Sequence, residues 1–121
     1  MVATTGRRYH RAGTDTSRAF AHIPLVETTD LLKVIPFNAV PVAVELRDDA
    51  RSLFSYTHPR SAYYIFGPED GSVPVEIVSQ CRDVVYIPTK YCMNLAATVN
   101  VVLYDRACKE AQRVSLFQQR Q

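Results

Sequence analysis

Apolar residues in this chain gather in short runs set apart by polar stretches. The run over 40–46 reads Val-Pro-Val-Ala-Val-Glu-Leu, and the run over 62–66 reads Ala-Tyr-Tyr-Ile-Phe. Both are rich in β-branched or aromatic residues and have strand length. A third run, Val84-Val85-Tyr86-Ile87-Pro88, predicts another strand. Residues 1–5 predict a strand ending at Gly6, and Ile23-Pro24-Leu25-Val26 a short extended piece whose proline suits an edge. Between them, residues 7–22 are polar and basic and read as a loop. Asp30 can cap a short helix through Leu31, Leu32 and Val34, which must stop before Pro36. Asp48 is an N-cap candidate for a helix with Ala50, Leu53 and Phe54 on one face. Pro74 suits the first turn of a helix with Val75 and Val78 facing inward. A long helix follows from near Asn94, with Leu95, Val99 and Val102 as its apolar stripe and Ala96 and Leu103 beside it. Arg106 and Lys109 are placed in its last turns, where cations complement the helix dipole.

Strand and helix therefore alternate, and the strands are continuous apolar runs. That is the pattern of an α/β fold, a parallel sheet in three layers (α/β/α) with helices on both faces. The 121 residues suffice for one domain with its own core. Apolar residues at 47% and charged residues at 21% are an ordinary globular balance, with no apolar run long enough to span a membrane. The first residues place charge after the apolar part, the reverse of a secretory signal. Cys81, Cys92 and Cys108 are odd in number and lack C-x-x-C spacing. They argue against a disulfide framework or a zinc knuckle and for a reducing, cytoplasmic setting.

Charge is uneven although the net value is only +2. Residues 1–24 hold Arg7, Arg8, Arg11 and Arg18 against Asp15, and residues 106–121 hold Arg106, Lys109, Arg113 and Arg120 against Glu110. The span between carries ten acidic and six basic residues. Basic ends on an acidic body fit a polyanion contact, and they equally fit solvated surface charge.

In parallel sheets ligands bind in the loops that follow the carboxyl ends of strands. Two such loops hold the unusual residues of this chain. The first is Phe66-Gly67-Pro68-Glu69-Asp70-Gly71-Ser72-Val73-Pro74. Gly67 permits close approach of a ligand to backbone, Gly71 suits a turn, and the carboxylates can accept hydrogen bonds or face a cation. The order G-x-G-x-x-G and a P-loop lysine are both lacking, so this is no phosphate cradle. Taken alone, it also reads as a plain turn. The second loop runs from Ile87 through Thr89, Lys90, Tyr91, Cys92 and Met93 to Asn94, which also reads simply as a helix cap.

Together the loops resemble a known family. Gly67-Pro68-Glu69-Asp70-Gly71 resembles the G-x-E-x-G motif of the SpoU/TrmH branch of SPOUT RNA methyltransferases. Ile87-Pro88 followed by Met93-Asn94-Leu95-Ala96-Ala97 is similar to that family's final motif, and the separation of the two motifs matches as well. The resemblance covers about 40 residues from Tyr63 to Tyr104. It implies a deep trefoil knot in the C-terminal third and a bent S-adenosylmethionine among the knot loops. Main-chain groups around Phe66, Gly67, Ile87 and Met93 would hold the adenine and ribose, with Gly71 in the same loop and Glu69 lining the site. Asn94 would order the last loop and lie near the reacting centre. The implied reaction is methyl transfer to a ribose 2'-hydroxyl in tRNA or rRNA, by a homodimer.

The sequence departs from the family's pattern in two places. Cys92 and Met93 stand where the motif has serine and leucine. The family's N-terminal Asn-x-Gly-x-x-x-Arg motif has no counterpart here, as though one strand–helix unit were missing from a single domain over 1–121. Arg7, Arg8 and Arg11 are candidates for RNA contact but not for the role of that motif's arginine. Three functions follow: an RNA ribose methyltransferase, a non-catalytic module that binds cofactor or RNA, or an unrelated α/β protein with a small ligand at the same loops.

Overall fold

The computed structural model describes residues 1–5, 22–68, 71–91 and 93–119. The chain forms two compact units, Met1–Phe37 and Asn38–Gln121. In the first unit β1 (Val2–Thr4) pairs in parallel with β2 (Leu25–Glu27), with Val2 opposite Leu25 and Thr4 opposite Glu27. Pro24 lacks an N–H but not a carbonyl, and that carbonyl accepts the Val2 N–H at 2.8 Å. Asp30 caps a 3-10 turn, Leu31–Val34, by accepting the Leu32 N–H on Oδ1 at 3.0 Å. The expected helix is thus a single turn, because Ile35 before Pro36 is already extended.

The second unit is built on a four-stranded sheet, all parallel. Its strands are β3 (Val40–Val44), β4 (Arg51–Ser52), β5 (Ala62–Phe66) and β6 (Asp83–Tyr86), in the order β4-β6-β3-β5. Central β3 pairs along its whole length with β5, Val40 opposite Ala62 and Val44 opposite Phe66. On its other side Val42, Ala43 and Val44 face Asp83, Val84 and Val85. Those same three residues of β3 are all buried. Consecutive side chains point to opposite faces of a sheet, so both faces of β3 are shut off from water. This is why the strand reads as an unbroken apolar run. Val42, Val44, Leu53, Tyr56, Val85 and Val102 form the core cluster. Removing each such aliphatic side chain from water contributes roughly 1.5–3 kcal/mol.

The helices are α1 (Val75–Val78) and α2 (Leu95–Gln119). α1 is one turn, with Val78 buried and Val75 70% exposed, so only one of the two expected inward residues faces the core. α2 buries Val102, while Leu103, expected beside the stripe, is exposed. The helix runs to Gln119, which leaves Arg106 and Lys109 near its middle rather than in its last turns. They serve another purpose, described below.

The helix expected after Asp48 is not formed. β4 instead pairs Arg51 with Val85 and Ser52 with Tyr86, and a 3-10 turn, Leu53–Ser55, follows with Ser52 as its cap. Leu53 is buried as expected, but Phe54 is 77% exposed. Ladder bonds to a distant strand outweigh the local helical pattern. The consequence is topological: β6 lies between β3 and β4, and residues 45–50 carry the chain from one side of it to the other.

Candidate active site

The carboxyl ends of β3, β5 and β6 open together into a cavity of about 310 Å³. Its wall includes Val44, Phe66 and Tyr86, the last residue of each strand. The first loop adds Gly67, Pro68 and Gly71, and the second adds Ile87, Lys90, Tyr91 and Met93. Of the residues expected to hold a cofactor, Phe66, Gly67, Gly71, Ile87 and Met93 thus meet at one cavity. Glu69 lies outside the described residues, as do Cys92 and the arginines Arg7, Arg8 and Arg11.

The first loop is held tightly. The Gly71 N–H donates to the Pro68 carbonyl at 3.2 Å. A Cβ at Gly67 would stand 2.9 Å from both the Ser72 carbonyl carbon and the Val73 nitrogen. These are backbone atoms that cannot swing aside, so only glycine fits there. Val73 is itself buried, and its N–H donates to Glu45 Oε2 at 2.7 Å. Glu45 follows β3 directly and also lines the cavity. The sequence reading missed it. A carboxylate just past the end of a buried strand was the available signal, but its partner lies 28 positions away.

In the second loop the Thr89 hydroxyl donates to the Tyr91 carbonyl at 2.8 Å, and Lys90 Nζ stands 5.6 Å from the centre of the Tyr91 ring. Asn94 caps α2: its Oδ1 accepts the Ala97 N–H at 2.9 Å and its carbonyl accepts the Thr98 N–H at 3.0 Å. Its neighbours Met93 and Leu95 line the cavity. Apolar walls from Val44, Phe66, Ile87 and Met93, a glycine-limited backbone and polar groups such as Glu45, Thr89 and Lys90 suit an aromatic base with a ribose, and the volume lies at the lower end of the range for small-ligand sites.

A second polar cluster joins α2 to the segment before β5. His58, whose side chain is 5% exposed, shares hydrogen bonds with Asp105 Oδ2 through Nε2 and with the Tyr64 hydroxyl through Nδ1, each at 2.7 Å. Lys109 donates to the carbonyls of Leu53 and Tyr56 and pairs with Asp105 at 2.8 Å. Arg106 donates to the carbonyls of Pro59 and Arg60 and to the Tyr64 hydroxyl. Burial would raise the Asp105 carboxyl, but bonds from Lys109 and His58 outweigh it and hold the group below its ordinary value. Burial pushes the Tyr64 phenol up against the pull of Arg106. The Tyr56 phenol is raised further, by burial and by its bond to Asp83 at 2.9 Å. These groups fasten the helix to the sheet; none of them lines the cavity at the strand ends.

Among the described residues no helix is long and apolar enough to cross a membrane. Comparison with curated proteins finds no match. The sequence profile of the SpoU rRNA Methylase family matches residues 3–104, most of the chain and all of the cavity-forming loops.

Proposed function

Because this chain belongs to the SpoU rRNA Methylase family, a family of SPOUT-type RNA methyltransferases, we propose that it moves a methyl group from S-adenosylmethionine to a ribose 2'-hydroxyl of tRNA or rRNA. The observation that carries this reading is the convergence of Phe66, Gly67, Gly71, Ile87 and Met93 at one cavity beyond three parallel strand ends. Main-chain groups of Gly67 and Ile87 are suited to bind the adenine and ribose edges, with Phe66 and Met93 as apolar walls. When bound, S-adenosylmethionine supplies an electrophilic methyl on a cationic sulfur. The protein's part is to orient it and to exclude water, since such a transfer rests mainly on positioning. Asn94 fixes the start of α2 beside Met93, and the family resemblance puts it near the reacting oxygen. Glu69, which lies between the two glycines in the sequence, is proposed to line the same site.

The same reading includes a trefoil knot within a three-layer domain. Its support is the passage of residues 45–50 across β6, which sits between the two strands they join. A homodimer with a site completed by both chains belongs to it as well, with Arg7, Arg8 and Arg11 as RNA contacts. Titration calorimetry is expected to show micromolar binding of S-adenosylmethionine, and a labelled methyl group is expected to pass to tRNA or rRNA. Absence of binding would remove the cofactor assignment. Binding without transfer would favour a non-catalytic module that keeps the cofactor or RNA site.

A further inference from the structure

We infer that Glu45 is a positioning residue of this site, a latch that holds the first loop in the shape the methyl donor requires. The inference rests on the reading of the cavity as the donor site. Three bonds place the residue. Its own N–H donates to the Val85 carbonyl of β6 at 3.0 Å, which fixes its backbone to the sheet. One carboxylate oxygen accepts the neighbouring Leu46 N–H at 3.2 Å. The other accepts the Val73 N–H at 2.7 Å, at the far end of the first loop.

Val73 nitrogen is thus held from two sides. Glu45 bonds it from the sheet, and the α-carbon of Gly67 packs so near that a Cβ there would approach it to 2.9 Å. Gly67 and Val73 lie at the two ends of the first loop, so this double contact sets the distance between them. The backbone of Gly67 faces the cavity, and its orientation depends on that distance. A charged acceptor makes a shorter and stronger bond to an amide than a neutral one. Glu45 therefore carries the position of the β6 end across to the first loop and links the two halves of the pocket wall.

The test uses the full chain with S-adenosylmethionine and bulk tRNA as probes. Glu45→Ala is expected to weaken donor binding roughly 10- to 100-fold, the usual effect of losing a hydrogen bond to a charged group. Glu45→Gln keeps one acceptor oxygen and is expected to recover most of the affinity. RNA affinity should stay the same in both. Leu53→Ala, a core change, serves as the control: it is expected to lower the unfolding midpoint without changing donor affinity of the folded protein. Amide exchange adds a readout independent of the donor. The Val73 N–H should be protected in the wild type and in Glu45→Gln, and exchange faster in Glu45→Ala. Equal protection in all three would overturn the latch, as would undiminished donor affinity in a folded Glu45→Ala. A wild type that binds no S-adenosylmethionine, with Val73 behaving as expected, would remove the donor reading and leave the loop contact standing by itself.

Discussion

At the scale of single residues, two positions in the site separate shape from chemistry. Gly67 is fixed by shape: a methyl group there meets backbone at 2.9 Å and must open the turn. Gly67→Ala is expected to cost about 1–3 kcal/mol, as overpacking does, and to weaken S-adenosylmethionine binding at least tenfold by calorimetry. Asn94 combines a cap with its proposed place near the reaction. Asn94→Ala is expected to lose about 1 kcal/mol of stability and to abolish methyl transfer. Asn94→Asp keeps the capping oxygen and should restore the stability. Transfer that stays absent in Asn94→Asp, measured with labelled donor, would show that the amide acts beyond the cap; full activity in Asn94→Ala would remove it from the chemistry. Both glycines were legible as turn residues from the sequence, since two of them flanked two carboxylates straight after a strand. Glu45 was not, because its place just past the end of β3 does not reveal that its partner is the distant amide of Val73.

At the scale of elements, α2 is secured by side chains that reach backbone carbonyls of the segment before β5. Arg106 serves Pro59 and Arg60, and Lys109 serves Leu53 and Tyr56. Arg106→Ala is expected to cost about 1.5–3 kcal/mol, the usual worth of hydrogen bonds to a charged group, read from urea unfolding. Asp105 adds a pH dependence. Its folded value is lowered, so its contribution is present above the unfolded value and lost as pH falls through the folded one. The stability gap between wild type and Asp105→Asn should therefore shrink as pH falls through and below the ordinary aspartate value of about 3.9. An unchanged gap across that range would mean that the carboxylate's partners contribute nothing. β5 was read from the sequence with the bounds it has in the structure, Ala62–Phe66, because its run is apolar and Gly67 stops it. The segment after Asp48 misled for the opposite reason. Its helical spacing was real, but β6 offered Arg51 and Ser52 a ladder that no local pattern reports. Arg106 and Lys109 misled likewise: their place in the helix depended on where it ended, and the residues after Arg113, beginning Val114-Ser115-Leu116-Phe117, hold no glycine or proline to mark its end.

At the scale of the whole molecule, the α/β class and the parallel sheet followed from unbroken apolar runs, and the family from two loops at the right separation. Ligand binding should show globally. If S-adenosylmethionine binds only the folded chain, a hundredfold excess over its dissociation constant adds about 2.7 kcal/mol. The thermal midpoint should then rise by several degrees in a melting scan, and a midpoint that does not move would contradict the donor site. One feature of the sheet also governs when such a site can exist. β3 and β4 are near neighbours in the chain, yet each touches β6 rather than the other, and Val42, paired with Tyr64 on one side, must wait for Asp83 to cover the other. During synthesis the chain emerges from its N-terminus. Until residues 83–86 have left the ribosome, β3 has only β5 beside it, and the cavity has neither Tyr86 nor Ile87 in its wall. On the proposed reading, the growing chain cannot take up a methyl donor until the second loop has emerged, and a product stopped before Asp83 lacks the pocket wall that β6 and Ile87 supply.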